Sequence, residues 1–174
     1  LVGSEMCIRD RYMSACIHCC YALHLYRSSK QQQIKEEPIP FVIPITEGKV
    51  IKVYDGDTIT VQFRLPYKKS KLYKISVRLN GIDCPELKTK NEIEKKCSQI
   101  AKQKVSDLLM GKTVQFKNVG MEKYGRLLAD VYYKGKSVNE WLLDNHLAIK
   151  YDGGTKQPPE NWMEYYNSVN FVEF

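Results

Sequence analysis

No apolar run in this 174-residue chain approaches the roughly 20 residues needed to cross a bilayer, so its folded part is expected to be soluble. A disulfide framework is missing too. Four of the six cysteines, Cys7, Cys16, Cys19 and Cys20, crowd into the first 20 residues, and only Cys84 and Cys97 follow. Cys16-x-x-Cys19 lacks the second pair that finger or ribbon spacing requires, which argues against structural zinc and leaves free thiols. No internal repeat is visible. Acidic residues are the scarcer charge, 20 against 27 Lys and Arg, for a formal net charge of +7. Such a balance attracts polyanions, nucleic acid or an acidic membrane surface, although a solvated lysine-rich face would have the same composition.

Residues 1–46 show no sustained periodicity and end in a Gln/Lys/Glu stretch followed by Pro38, Pro40 and Pro44, as a tail and linker would. Leu1 to Tyr12 reads like the translation of a sequencing adapter, so residues 1–12 are expected to be non-native, with Met13 as the start. The apolar segment Ser14 to Tyr26 lacks a basic n-region and a clear cleavage site, which favours an intracellular over a secreted protein. Cys16, Cys19 and Cys20, with Arg27 and Lys30 downstream, could be S-acylated into a reversible membrane anchor.

Residues 47–174 read as one domain. Lys49 to Tyr54 and Thr58 to Leu65 are β-rich runs separated by Asp55-Gly56-Asp57, a hairpin composition. In Tyr73 to Asn80, Ile75, Val77 and Leu79 alternate with Ser76 and Arg78, so Arg78 is expected to leave the core. Ile93, Cys97, Ile100, Ala101, Val105, Leu108 and Leu109 follow helical spacing, and Gly111 supplies a stop. Strands resume at Thr113 to Val119 and Leu127 to Tyr133, then Lys134-Gly135 turns the chain. Ser137 and Glu140 form a capping-box pattern for a second helix to about Asn145, and Glu160 to Asn167 suggests a last one. Three strands, a helix, two strands and a helix suit an α+β chain built on a five-stranded OB barrel with an inserted helix. Consecutive strands without crossover helices disfavour a doubly wound sheet.

Asp57 closes the first hairpin turn, while Asp83, Cys84, Pro85 and Glu86 leave the third strand at its end, so neighbouring strands can gather three carboxylates at one mouth. A hard cation such as Ca²⁺, which takes about 6 to 8 oxygen ligands, could hold them there and leave room for a phosphate. Arg78 and Arg126 flank the acids with forks that match phosphate oxygens. Either arginine alone could simply pair with a surface acid; both beside one acidic cluster point to phosphoryl chemistry.

Asp55-Gly56-Asp57-Thr58, Arg78-Leu79-x-Gly81-Ile82-Asp83-x-Pro85-Glu86 and Lys123-Tyr124-Gly125-Arg126-Leu127 resemble, in order and spacing, the three signature stretches of the staphylococcal nuclease family. The likeness runs from about Gly48 to Tyr151. It implies a Ca²⁺-dependent nuclease acting on DNA or RNA, with Asp57, Asp83 and the backbone carbonyl of Cys84 on the metal. It further implies Glu86 as general base, Arg78 and Arg126 as stabilisers of the five-coordinate phosphorus, Asp55 as a supporting acid, and 3′-phosphate products. Cys84 stands where the family usually has Thr. Tyr124 and Tyr151 near the mouth could stack on bases or pack in the core, and Lys68, Lys69, Lys71 and Lys74 could track a phosphate backbone or simply be solvated. A small enzyme with one cleft is expected to work as a monomer. The rivals are a non-catalytic OB module, for which the complete set of Asp57, Arg78, Asp83, Glu86 and Arg126 has no chemical use, and a tethered adaptor, supported only by the tail cysteines.

Overall fold

The computed structural model describes residues 37–122 and 124–174. Tail residues 1–36, with Cys16, Cys19 and Cys20, and Lys123 of the third signature stretch lie outside them. Val42–Phe174 forms one compact unit. Ile45, read above as linker, is buried core, because its backbone neighbour Thr46 receives the Phe116 N–H and draws the chain onto the sheet.

β1 (Glu47–Val53) and β2 (Thr58–Arg64) form an antiparallel hairpin about Asp55-Gly56-Asp57, and β3 (Leu72–Leu79) continues it, from Thr58 opposite Arg78 to Arg64 opposite Leu72. After β4 (Ile82–Asp83) and α1 (Glu92–Leu109), β5 (Thr113–Met121) joins the free side of β1, and β6 (Leu127–Tyr133) pairs with β5. Parallel pairing of β6 with β3, Val77 opposite Leu127 and Leu79 opposite Ala129, closes a five-stranded barrel. The expected OB-like α+β architecture is therefore present. Period-two alternation explains the core: Val50, Ile59, Val61, Val77, Leu79, Val114, Leu127, Ala129 and Val131 are fully buried inside the barrel. Each large aliphatic side chain among them contributes about 1.5–3 kcal/mol through removal from water.

The Asn91 side chain caps α1 by accepting from the Ile93 and Glu94 amides, and Cys97, Ala101, Val105 and Leu109 form its buried stripe. Ile93, counted above with the apolar face, is 44% exposed, because in the first turn the helix has not yet reached the barrel. Lys134 and Gly135, both left-handed (φ 48° and 80°), make the two-residue turn that sets β7 (Lys136–Ser137) against β6. Ser137 then caps α2 (Val138–Asp144) by accepting the Glu140 amide.

Two features position the site and are illegible as periodicity. β4 pairs with β8 (Ile149–Lys150), and the Tyr151 amide donates to the Gly81 carbonyl, which pins the chain around Asp83. Asn139, buried, donates to the Asn80 carbonyl and accepts from the Val131 amide, stapling α2 to the end of β3. The last helix, α3 (Trp162–Asn167), buries Trp162 and stacks Tyr165 on His146, whose Nδ1 lies 2.8 Å from the Tyr165 carbonyl. This contact anchors the far end of the loop that leaves Tyr151.

Candidate active site

The β1–β2 turn can enter the site only because residue 56 has no side chain. A Cβ at Gly56 would lie 2.7 Å from Cys84 Sγ and 3.0 Å from Ala101 Cβ, so the turn, the strand end and α1 meet in space too small for a methyl group. Gly56→Ala is therefore expected to cost about 1–3 kcal/mol by overpacking. A thermal melt reads the loss, and Cys84→Ala in the same chain should recover part of it by removing the nearest atom.

With the turn seated, Asp57 lies under Arg78. The Arg78 guanidinium donates to Asp57 Oδ2 at 2.8 Å and to Asp83 Oδ1 at 2.7 Å, and these side chains are 14%, 4% and 7% exposed. Asp57 also accepts from Thr58 Oγ1 at 2.9 Å and from the Cys84 amide at 3.2 Å, while the Leu79 amide donates to its carbonyl. Burial lowers the Arg78 pKa, but the Asp57 and Asp83 carboxylates more than offset this, so the guanidinium stays charged.

Asp55 is different. Its Oδ1 is buried with no hydrogen-bond partner among the described residues, and burial, followed by the Asp57 charge, pushes its carboxyl up to about 6. The Cys84 thiol is buried, and its pKa is held well above the usual range by that burial and then by Asp57 and Asp55, so it remains a protonated packing group. Cys97 is also free and buried.

Glu86 follows β4 on the rim, its side chain 57% exposed. Its amide donates to Glu94 Oε1 at 3.2 Å, and Glu94 Oε2 accepts from Thr89 Oγ1 at 2.8 Å, so the first turn of α1 holds the loop carrying the acid. Across the mouth, Arg126 makes a two-pronged contact with Glu122, 2.6 Å from Nε and 3.0 Å from Nη2. A guanidinium has five N–H donors, so each arginine keeps some for a further anion.

Asp55, Asp57, Arg78, Asp83, Cys84, Glu86, Arg126 and Tyr151 all line one open cleft of about 330 Å³. Tyr124 does not; its ring is 72% exposed outside the lining. Three residues of the site were missed. Lys156, on the loop after Tyr151, places Nζ 2.6 Å from Glu86 Oε1 and 3.0 Å from Asp83 Oδ2. Nothing in the sequence connects it to acids some 70 residues earlier. Glu94 is equally silent, whereas Glu122 carries a local signal in its spacing of four to Arg126.

The arrangement can bind a phosphate by two guanidinium groups, place a hard cation against oxygen donors, and present a solvent-facing carboxylate beside both. The family model for staphylococcal nuclease homologues matches residues 76–169. An endonuclease of Haemophilus influenzae is 33% identical over 110 residues, covering 63% of this chain and 55% of that protein. Endonuclease YncB of Bacillus subtilis is 36% identical over 100 residues, with 56% and 44% covered, and a probable endonuclease, LCL3, of Komagataella phaffii is 28% identical over 144, with 70% and 63% covered. The chain thus spans about half to two thirds of the length of these relatives. The family match starts inside β3, beyond Asp55 and Asp57, yet the barrel returns both acids to the Arg78 guanidinium within it. With more than half of its length matched and the barrel closed as described, the chain belongs to the staphylococcal nuclease family.

Proposed function

We propose that this protein is a Ca²⁺-dependent nuclease that hydrolyses phosphodiester bonds of DNA or RNA and leaves 3′-phosphate ends. The observation that carries the reading is the convergence of Arg78 on Asp57 and Asp83 in the same cleft as Glu86 and Arg126. The names of the relatives, all endonucleases, agree with it.

The donors suit a hard cation. Asp57, Asp83 and the Cys84 carbonyl offer oxygen only, the buried Asp55 Oδ1 lacks a partner among the described residues, and the Lys156 ammonium is shared by the Asp83 and Glu86 carboxylates as a single positive centre. Among the described residues no three His, Cys, Asp or Glu side chains close on a single point, so carbonyl, water and substrate oxygens would complete the shell. When bound, Ca²⁺ supplies Lewis-acid polarisation of the phosphate.

The protein's own groups do the rest. Glu86 takes a proton from a water that attacks phosphorus in line, the bond from phosphorus to the 5′ oxygen breaks, and solvent in the open cleft supplies the proton to that oxygen. Arg78 and Arg126 donate to the oxygens that gain charge on the way, a contribution of about 10²- to 10³-fold for one such donor. Glu122 and Asp57 position the two guanidinium groups, and Tyr151 on the cleft wall offers a ring to a base.

The test is degradation of single-stranded DNA and RNA by the full chain with Ca²⁺ and with EGTA, with mass spectrometry of the product ends. Cleavage that needs Ca²⁺ and yields 3′-phosphates supports the reading; binding of both polymers without cleavage makes the barrel a binding module. Lys156 provides a check that needs no turnover. Its side chain is 41% exposed, so its two ion pairs are worth at most about 1 kcal/mol each after solvent screening. Lys156→Met should therefore tighten Ca²⁺ by about tenfold in calorimetry, by removing a competing cation from Asp83 and Glu86.

A further inference from the structure

The described chain from Gly48 to Ile82 contains only two acids, Asp55 and Asp57, and both lie in the cleft. The same stretch carries Lys49, Lys52, Lys68, Lys69, Lys71 and Lys74, all exposed, and among the described residues none of the six is ion-paired to a carboxylate. The barrel puts them on one side. Ile59, Val61, Phe63, Val77 and Leu79 point inward, so the alternate positions of β2 and β3 form the outer face. On that face Arg78 stands opposite Thr58, Lys52 and Ser76 both flank Thr60, and Lys49 and Lys74 both flank Gln62. The row starts at the catalytic guanidinium and ends at the β2–β3 loop with its three further lysines.

That loop is a built structure rather than a loose tip. Ser70 is buried, accepts the Leu65 amide at 2.9 Å, and receives Arg64 Nη1 on its carbonyl. Tyr67 and Tyr73 join hydroxyls at 3.3 Å beside the lysines, and the Tyr67 ring is 56% exposed. Unpaired cations gathered on a rigid strip, with the acids confined to one end, are unfavourable for the isolated protein because like charges repel. They are favourable toward a linear polyanion.

Resting on the nuclease reading above, we propose that the outer face of β1–β3 and its terminal loop form an extended site for the substrate's phosphate backbone on one side of the scissile bond. From Arg78 to Leu72 the strand rises about 20 Å at roughly 3.3 Å per residue, the span of about six phosphates along one strand of a duplex. The strip therefore favours long substrates: a dinucleotide reaches only the cleft, whereas a strand of about seven or more nucleotides reaches the loop.

The experiment measures binding of fluorescent single-stranded oligonucleotides of 4 and 16 nucleotides to Glu86→Gln protein, with and without Lys68→Gln, Lys71→Gln and Lys74→Gln together. Lys69 is left in place because its φ of 62° is a left-handed turn position. The 16-mer should bind about tenfold more weakly to the triple variant, with a salt dependence shallower by about 2 in log–log slope, about 0.7 per lost phosphate contact. The 4-mer affinity should not move, and the melting temperature should not fall, since relief of like-charge repulsion can only raise it. An unchanged 16-mer affinity and slope would overturn the strip while leaving the nuclease reading intact. Failure of the parent protein to bind either length would overturn both. Loss of binding to anionic vesicles, with oligonucleotide binding untouched, would reassign the face to a membrane and overturn the proposal as well.

Discussion

Arg78→Leu should destabilise the protein by about 3–5 kcal/mol in the absence of divalent cation, the cost of stranding partners of a buried ion pair. Among the described residues its side chain is the only cation ion-paired to Asp57, and Asp57 and Asp83 are too enclosed to be rescued by bulk water. A second consequence separates this residue from an ordinary structural arginine. Ca²⁺ would restore positive charge to the same two carboxylates, so the variant should regain more stability on Ca²⁺ addition than the parent does. Activity should not return with stability, because the donors aimed at the phosphate are gone, a loss of about 10²- to 10³-fold. Chemical denaturation with Ca²⁺ and with EGTA reads the first effect, and cleavage by the folded variant reads the second. Equal Ca²⁺ stabilisation of both proteins would mean that the cation does not share these carboxylates.

Glu86→Gln should behave in the opposite way. Its side chain is exposed, its main chain rather than its carboxylate fixes the loop to Glu94, and its partner Lys156 is itself partly solvated. Stability should therefore change by less than about 1 kcal/mol, as for other surface pairs. Turnover should fall by about 10²- to 10⁴-fold, the contribution of a positioned general base, with substrate affinity retained. The contrast tests the proposed division of labour directly, in which Arg78 would be both keystone and charge stabiliser and Glu86 would have chemistry alone. A Glu86→Gln enzyme with near-normal turnover would remove the carboxylate from the mechanism and leave water activation to another group.

Much of this was legible in the chain because the relevant patterns are local. Val77 and Leu79 alternate with Arg78, so the arginine had to face away from the barrel interior, and β3 places it there. The spacing of Cys97, Ala101, Val105 and Leu109 contains its helix, and Asp55-Gly56-Asp57 its turn. The chain itself also signals that Asp83 and Glu86 leave a strand end. It does not signal the two-residue pairing of β4 with β8, which is too short for any periodicity, nor the burial of Ile45 after a proline-rich approach. Tyr124 follows the same reasoning: its motif puts it two residues from Arg126, but the two lie in a turn with left-handed Gly125 between them and need not share a face, and Tyr124 lies outside the cleft.

What the sequence alone determined was the succession of the five long strands along the chain, the inserted helix and the identity of the acids and arginines, because hydrophobic period and turn chemistry act over a few residues. Only the tertiary structure decided who meets whom. Closing β3 on β6 and lowering Gly56 onto Cys84 brings Asp57 within 2.8 Å of Arg78, and the loop after β8 returns Lys156 to Glu86. Such contacts depend on the summed geometry of the whole barrel, and electrostatic partners chosen at that range leave no period in the chain.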